Sequence, residues 1–290
     1  MLSASAAMNS LEGLAAFKPD TCSSGAGGVD WSSIGSAGAM SAFCGIMAGF
    51  VFAGVVVIIG ERNPAQGDGH ASRSLRLLLP CFVGLATASY LYALTSGELV
   101  CSRANTEQLF SGAILAGDAV VVIVALAWLL PAYGRNTHGT VGFFRGLIQF
   151  AAQFSALMVT VSASGFTNSV LRHSATGWAD TLVWASGVFV CATVFYFWRK
   201  PLPPAPATLP AGQTPDQWRD EVLLNRRAHI ASWTTLYVGG GLAVASGVAV
   251  GIPYSHWTAL PAWLVYTLGE ASLLLPGSII VAAVWAVPRE

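Results

Sequence analysis

The sequence predicts an all-α membrane protein: a seven-transmembrane-helix bundle with its N-terminus outside the cell and its C-terminus in the cytoplasm. Three observations predict this fold class. Hydrophobic residues make up 54% of the 290 residues and charged residues only 10%, whereas a soluble domain carries about 25% charged residues. Apolar stretches long enough to cross a bilayer recur along the chain. The Lys and Arg residues between these stretches fall mostly on one side of the membrane.

The predicted spans are apolar stretches separated by short segments that contain charged residues, proline or glycine. A helical span needs roughly 20 predominantly apolar residues to cross a hydrocarbon core about 30 Å thick. The seven stretches of that length lie at about 37–60, 75–96, 109–131, 142–163, 179–198, 230–252 and 260–286.

These spans divide the chain into four parts. Residues 1–35 are rich in Ser, Gly and Ala and are expected to form a flexible extracytoplasmic tail. Spans one to five occupy residues 36–200, and a cytoplasmic loop occupies 201–229. Spans six and seven occupy 230–290.

The orientation follows from Lys and Arg, because cytoplasmic segments of membrane proteins are enriched in both. With the N-terminus outside, only three of these residues lie outside the cell: Lys18, Arg103 and Arg172. The other eleven lie in cytoplasmic segments: Arg62, Arg73, Arg76, Arg135, Arg145, Arg199, Lys200, Arg219, Arg226, Arg227 and Arg289. The inverted orientation would reverse this bias. We therefore expect a multi-pass protein of the cell membrane with a cytoplasmic C-terminus.

The loop between spans five and six changes character along its length. Five prolines between 201 and 210 favour an extended spacer. Thr214, followed by proline and three residues on by glutamine, is a helix start with a capping side chain and its capping-box partner. We predict an amphipathic helix over 215–228 that lies on the inner leaflet, with Arg226 and Arg227 facing water. The alternative is that this helix binds a cytoplasmic or membrane protein.

The five cysteines show no metal-ligand spacing. Cys22 in the tail and Cys101 after the second span would both lie in an oxidising compartment, where a disulfide between them would hold the tail over the bundle. The alternative is two unrelated thiols. Cys44, Cys81 and Cys191 lie within spans and are expected to act as small apolar packing residues.

Two ionisable residues fall deep within spans, Asp118 in span three and Glu270 in span seven. Because such residues cost roughly 2.5–3.5 kcal/mol each on insertion scales, they mark function by default. Counted from the predicted span ends, both lie near the midplane, at the same depth. The pair is a candidate transport or proton site. The alternative is a structural pair that is hydrogen-bonded to Gln149, Gln153 or a backbone carbonyl.

Two features of spans six and seven suggest helix breaks or close packing near this layer. Gly239, Gly240 and Gly241 stand in the middle of span six, where an unwound helix could build a transport site. Pro276 removes a backbone hydrogen bond and can kink span seven. Small residues also recur every four positions from Gly239 to Gly251, a pattern typical of close helix packing in membranes.

Several classes of function have no support in the sequence. A net charge of zero gives no nucleic-acid footprint. There is no metal motif, no phosphate-binding glycine loop and no nucleophile–base pair, so we expect no bound metal or cofactor and no enzyme activity.

In outline the chain resembles the microbial rhodopsins. Glu107 and Asp118, eleven residues apart, match the spacing of the counterion and proton-donor acids of that family, and Glu270 matches its seventh-helix acid. The resemblance fails at Leu274, which stands where the family has its retinal-bearing lysine. No lysine occurs in any predicted span, which excludes a retinal Schiff base.

Two hypotheses of function follow. The first is a small-solute or ion transporter with a midplane site that includes Asp118 and Glu270. One version of this hypothesis is that transport is coupled to proton movement. The second is a non-transporting membrane sensor or scaffold that acts through the helix at 215–228. The expected partners are the lipid bilayer and either a small solute or ion or a protein.

Overall fold

The computed structural model describes residues 33–60, 69–133, 138–171, 177–200, 214, 219–257 and 260–287. Within these residues seven helices are long and apolar enough to cross a membrane, and no strand occurs. The helices are α1 (Ser33–Gly60), α2 (Gly69–Thr95), α3 (Cys101–Tyr133), α4 (His138–Leu171), α5 (Gly177–Arg199), α6 (Asn225–Gly251) and α7 (Ala262–Trp285). The all-helical fold class and the seven spanning-length helices are confirmed. The predicted tail, Cys22 and the proline-rich part of the loop lie outside the described residues.

Helix α3 is longer than predicted, because it begins at Cys101 and not near residue 109. Residues 101–108 are mostly polar, which ends an apolar stretch in the sequence. In the folded chain, however, Arg103 and Glu107 stand one turn apart, pair with each other and are buried. Pairing and burial allow these polar residues to continue the helix.

Two hydrogen bonds show which helix ends lie together at each end of the bundle, and each end is named here after a residue close to its bond. At the Cys101 end, where α3 begins, the Ser102 hydroxyl donates to the carbonyl of Trp257 at 3.1 Å. At the Trp128 end, where α7 finishes, Trp128 Nε1 donates to the carbonyl of Ala286 at 3.1 Å.

The order of the helices in the bundle differs from their order in the chain. Helix α6 lies between α2 and α7, and α3 packs against α2, α4, α6 and α7. Helix α1 packs mainly on α2, while α5 packs on α4 and α7. As a result α3 and α7 are the most buried helices, and α1, α5 and α6 expose most of their apolar surface.

Glycines allow the closest helix contacts, but these glycines are not the ones that the sequence predicted to pack. A Cβ on Gly187 of α5 would overlap Thr160 of α4, so these helices touch through backbone and side chain. A Cβ added to Gly247 or Gly251 of α6 would meet nothing within 4 Å, and both glycines are exposed. Gly239 is buried, but a Cβ there would also meet nothing within 4 Å. The prediction that the stripe packs closely against a neighbouring helix is therefore wrong at Gly247 and Gly251.

Helix α6 is also continuous where a break was expected. It stays α-helical from Asn225 to Gly251, through the glycine triplet at 239–241. A short π-helix, Arg219–Leu224, runs into it without a gap, because the backbone of Leu224 is itself helical, with φ −72° and ψ −35°. Residues 219–228 therefore extend span six, which differs from the separate surface helix predicted at 215–228; residues 215–218 lie outside the described residues.

Candidate functional site

Asp118 lies at the interface between α3 and α2, and only 1% of it is exposed. Its carboxyl group rests against Gly84 of α2, where a Cβ would overlap Asp118 Oδ2. The absence of a side chain at Gly84 therefore makes the room that this carboxyl occupies. Oδ2 has no hydrogen-bond partner in the described part of the chain.

Two thiols from α1 and α2 surround Asp118. Cys81 Sγ of α2 approaches the Asp118 carbonyl at 3.8 Å, and Cys44 of α1 lies within electrostatic reach of the carboxyl. Both cysteines are fully buried and free, as expected of packing residues.

Glu270 lies on α7, away from this interface. The residue is half-buried, and its Oε1 is buried with no hydrogen-bond partner among the described residues. Its neighbour Gly269 sits against α4, where a Cβ would come 2.9 Å from Thr167 Cγ2. The two predicted acids thus belong to different helix contacts.

The two acids also lie at different levels, so the prediction of equal depth is wrong. A Cβ on Gly117, the residue before Asp118, would come 3.1 Å from Ile279 Cδ1. Ile279 follows Glu270 by nine residues, about 13 Å of helix at 1.5 Å per residue. The prediction failed because α3 begins eight residues before the predicted span start, and Asp118 is therefore 17 residues into its helix.

The predicted glutamines do not join Asp118 to Glu270. Gln153 Nε2 of α4 donates to the carbonyl of Cys191 on α5 at 3.1 Å, and Gln149 is half-buried on α4. Pro276 is buried within α7, which remains helical around it. Among the predicted site residues, Asp118 is therefore the fully buried acid.

A second buried ionic cluster, which the sequence reasoning missed, lies at the Cys101 end. Arg103 Nη2 donates to Glu98 Oε1 at 2.6 Å, and Arg103 Nε donates to Glu107 Oε1 at 3.3 Å. All three residues are less than 9% exposed. The second oxygens of Glu98 and Glu107 are buried with no hydrogen-bond partner in the described residues. With both acids ionised the triad has a formal charge of −1, and with Glu107 protonated its formal charge is zero.

Polar groups connect this triad to Asp118 along the α2–α3 interface. The Ser111 hydroxyl donates to the Glu107 carbonyl at 2.7 Å, and the Tyr92 side chain interacts with Ser111. Cys44 has both Tyr92 and Asp118 as electrostatic neighbours. We call the series Glu107, Ser111, Tyr92, Cys44 and Asp118 the polar file.

The sequence contained one signal for the polar file. Glu107 and Asp118 are eleven residues apart, which is about three helical turns and therefore one helix face. Ser111 stands on that face between them. What the sequence could not supply is the partner face, because Tyr92 and Gly84 come from α2 and Cys44 from α1.

The Trp128 end holds its buried arginines in another way. The Arg73 guanidinium lies over the Trp128 ring, 5.0 Å from its centroid, and Arg227 lies 4.8 Å from that of Trp285. Arg227 Nη1 also donates to the Trp285 carbonyl at 3.3 Å. Arg227 is only 5% exposed, so the prediction that it faces water is wrong; the sequence alone does not reveal that a tryptophan from α7 covers it.

The cysteine at the Cys101 end is oxidised. Cys101 is disulfide-bonded, whereas Cys44, Cys81 and Cys191 are free. Its predicted partner, Cys22, lies outside the described residues, and the pairing of the two stays a prediction.

Comparison of the chain with protein-family models, with curated proteins and with solved structures found no match. Within the described residues no group of three or more His, Cys, Asp or Glu side chains could hold a metal ion. The function is therefore argued from Asp118 and its surroundings.

Proposed function

We propose that this protein crosses the cell membrane seven times, with its N-terminus outside, and transports a small solute or ion by a mechanism in which Asp118 binds and releases a proton. The orientation rests on the eleven Lys and Arg residues that it places in the cytoplasm against three outside. In this orientation the Cys101 end of the bundle faces outward and the Trp128 end faces the cytoplasm.

One observation carries the proposal: a fully buried carboxyl group without a hydrogen-bond partner for Oδ2. An acid held for structural reasons would hydrogen-bond to a neighbouring helix, because an unsatisfied buried polar group is costly. Asp118 Oδ2 instead lies against the open face of Gly84. A buried acid in a span that stabilises no visible contact is best explained by a role in transport.

We propose that Glu270 acts separately from Asp118 and contributes less to transport. It lies about 13 Å along α7 from the residue that contacts Gly117, so the two carboxyls do not form one pair. We therefore expect transport to depend on Asp118 more strongly than on Glu270.

The test is proton movement in liposomes reconstituted with purified protein. A potassium gradient with valinomycin drives the movement, and a trapped pH-sensitive dye reports it. The assay is run without solute and with a panel of amino acids, sugars and inorganic ions, because a coupled transporter moves protons only together with its substrate. Asp118→Asn keeps the size of the side chain but cannot ionise, and we expect it to abolish proton movement. Glu270→Gln is the matched variant and is expected to retain more than half of the wild-type rate.

Folding is checked by size-exclusion chromatography of both variants in detergent. Wild-type proton movement in well-folded Asp118→Asn protein would contradict the proposal. If neither variant changed the rate of proton movement while Arg226→Glu caused a defect in cells that express the protein, the sensor or scaffold hypothesis would be favoured. Arg226 suits that comparison because it is exposed, unlike Arg227.

A further inference from the structure

We propose, building on the function proposed above, that Asp118 exchanges its proton with the Cys101 end of the bundle and that Glu107 is the relay residue. Glu107 is fully buried, as Asp118 is, and its Oε2 has no partner among the described residues. The polar file runs along the helix from Glu107 to Asp118. The proposal adds a direction of access and a second proton-carrying residue.

The geometry of the triad makes Glu107 the exchangeable acid and Glu98 the fixed one. Arg103 holds Glu98 with a 2.6 Å charge-assisted hydrogen bond and Glu107 with a longer bond of 3.3 Å. Glu98 thus makes the shorter and stronger contact with the guanidinium. Thr95 of α2 also interacts with the Glu107 side chain. Glu107 is free to hold a proton on Oε2, while Glu98 keeps the arginine in place.

The distance from Glu107 to Asp118 is too long for a direct transfer. Eleven residues of helix span about 16 Å. Ser111 stands one turn from Glu107, and the Tyr92 hydroxyl lies beside it, 3.4 Å from where a Cβ on Gly112 would be. Cys44 then neighbours both Tyr92 and Asp118. Two hydroxyl groups and one thiol, those of Ser111, Tyr92 and Cys44, therefore stand in this interval on the α1, α2 and α3 side, and Tyr92 and Cys44 belong to one buried cluster.

The interval on the other side of Asp118 is lined differently. Between Asp118 and Trp128 the buried core contains Leu77, Leu78 and Val121. The Ser74 hydroxyl in this region is used in a hydrogen bond to the Ala125 carbonyl, at 2.9 Å. In this conformation the polar route to Asp118 opens toward the Cys101 end and is closed by apolar side chains toward the Trp128 end.

The transfer moves one proton and balances as follows. Protonated Glu107 releases its proton from Oε2 toward Ser111, Tyr92 and Cys44, whose hydroxyl and thiol groups each accept one proton and pass one on. The Asp118 carboxylate receives a proton and becomes neutral. Glu107 is left as a carboxylate beside Arg103, which stabilises that charge, and is protonated again from the Cys101 end.

The experiment uses the full chain in the same liposome assay, with four variants measured side by side. Asp118→Asn tests the proposed function, and Glu107→Gln and Glu107→Asp test the relay. Asp180→Asn is the control, because Asp180 is an acid near the same end that bonds to Ser164 at 2.6 Å on α4 and α5, away from the polar file. We expect Glu107→Gln to slow proton movement by roughly 100-fold, since a proton-transfer group contributes about that much.

Rescue by the conservative variant separates a relay from a structural role. Glu107→Asp retains an ionisable carboxyl and is expected to restore more than half of the rate, while Asp180→Asn leaves the rate unchanged. If Asp118→Asn abolished movement but Glu107→Gln did not slow it, the relay would be refuted and the proposed function would stand. If Asp118→Asn did not change the rate of proton movement, the proposed function itself would be refuted, and the relay with it. Equal loss in Glu107→Gln and Glu107→Asp would assign Glu107 to structure alone.

Discussion

The two ends of the α2–α3 interface bury arginine in chemically different surroundings. At the Cys101 end, Arg103 is held by the carboxylates of Glu98 and Glu107. At the Trp128 end, Arg73 lies over the ring of Trp128, and Arg227 similarly lies over the ring of Trp285 at the neighbouring α6–α7 contact. Carboxylates can take up protons, and tryptophan rings cannot. The comparison is consistent with the proposal that the Cys101 end exchanges protons with Asp118, whereas the Trp128 end holds its arginines over aromatic rings.

The largest expected effect comes from removing the arginine at the Cys101 end. Arg103→Met leaves two buried carboxylates without their main cation, and we expect it to destabilise the protein by about 3–5 kcal/mol. The measurement is the unfolding free energy from titration with sodium dodecyl sulfate in mixed micelles. Arg103→Lys, which keeps the charge, should lose less. If Arg103→Met lowered the unfolding free energy by no more than a surface substitution does, the triad would not be a buried ionic unit.

An intermediate effect is expected at the contact that makes room for Asp118. Gly84→Ala places a methyl group where Asp118 Oδ2 lies, and overpacking of this kind costs about 1–3 kcal/mol. In an Asp118→Ala background the same methyl group has space, so the cost should largely disappear. The double-mutant cycle measures this coupling.

A glycine on the exposed face of α6 provides the control for that cycle. Nothing lies within 4 Å of a Cβ on Gly240, and Gly240→Ala should be neutral or slightly stabilising, since alanine is the better helix former. Equal costs for Gly84→Ala in both backgrounds would mean that the contact with Asp118 is not what the methyl group disturbs.

The smallest effect is expected at the Trp128 end. Arg227→Met removes a cation from the face of Trp285 and leaves a neutral ring, so the cost should be about 0.5–2 kcal/mol, as for a cation–π contact. The detergent titration that measures Arg103→Met applies here without change. A loss equal to that of Arg103→Met would remove the proposed difference between the two ends.

The sequence alone determined the class of the molecule. Whether a segment is apolar over roughly 20 residues is a local property, and it can be counted without knowing the fold. Seven such segments were therefore predicted correctly, with most helix ends within a few residues. The exceptions were the starts of α2, α3 and α6 and the end of α4, because polar residues there continue the helix beyond the apolar stretch.

Which side chains meet was decided only by the tertiary structure. With α6 between α2 and α7, Gly247 and Gly251 face away from the other helices, so this part of the predicted packing stripe lies open, while Gly239 is buried. Because α3 begins earlier than predicted, Asp118 lies at a different level from Glu270, and its carboxyl group contacts Gly84. A side chain's partners depend on the rotation and axial position of two helices that are distant in sequence, and neither quantity is encoded in the apolar pattern of one of them. The acid that sequence reasoning selected remains the centre of the site, but its surroundings come from α1 and α2.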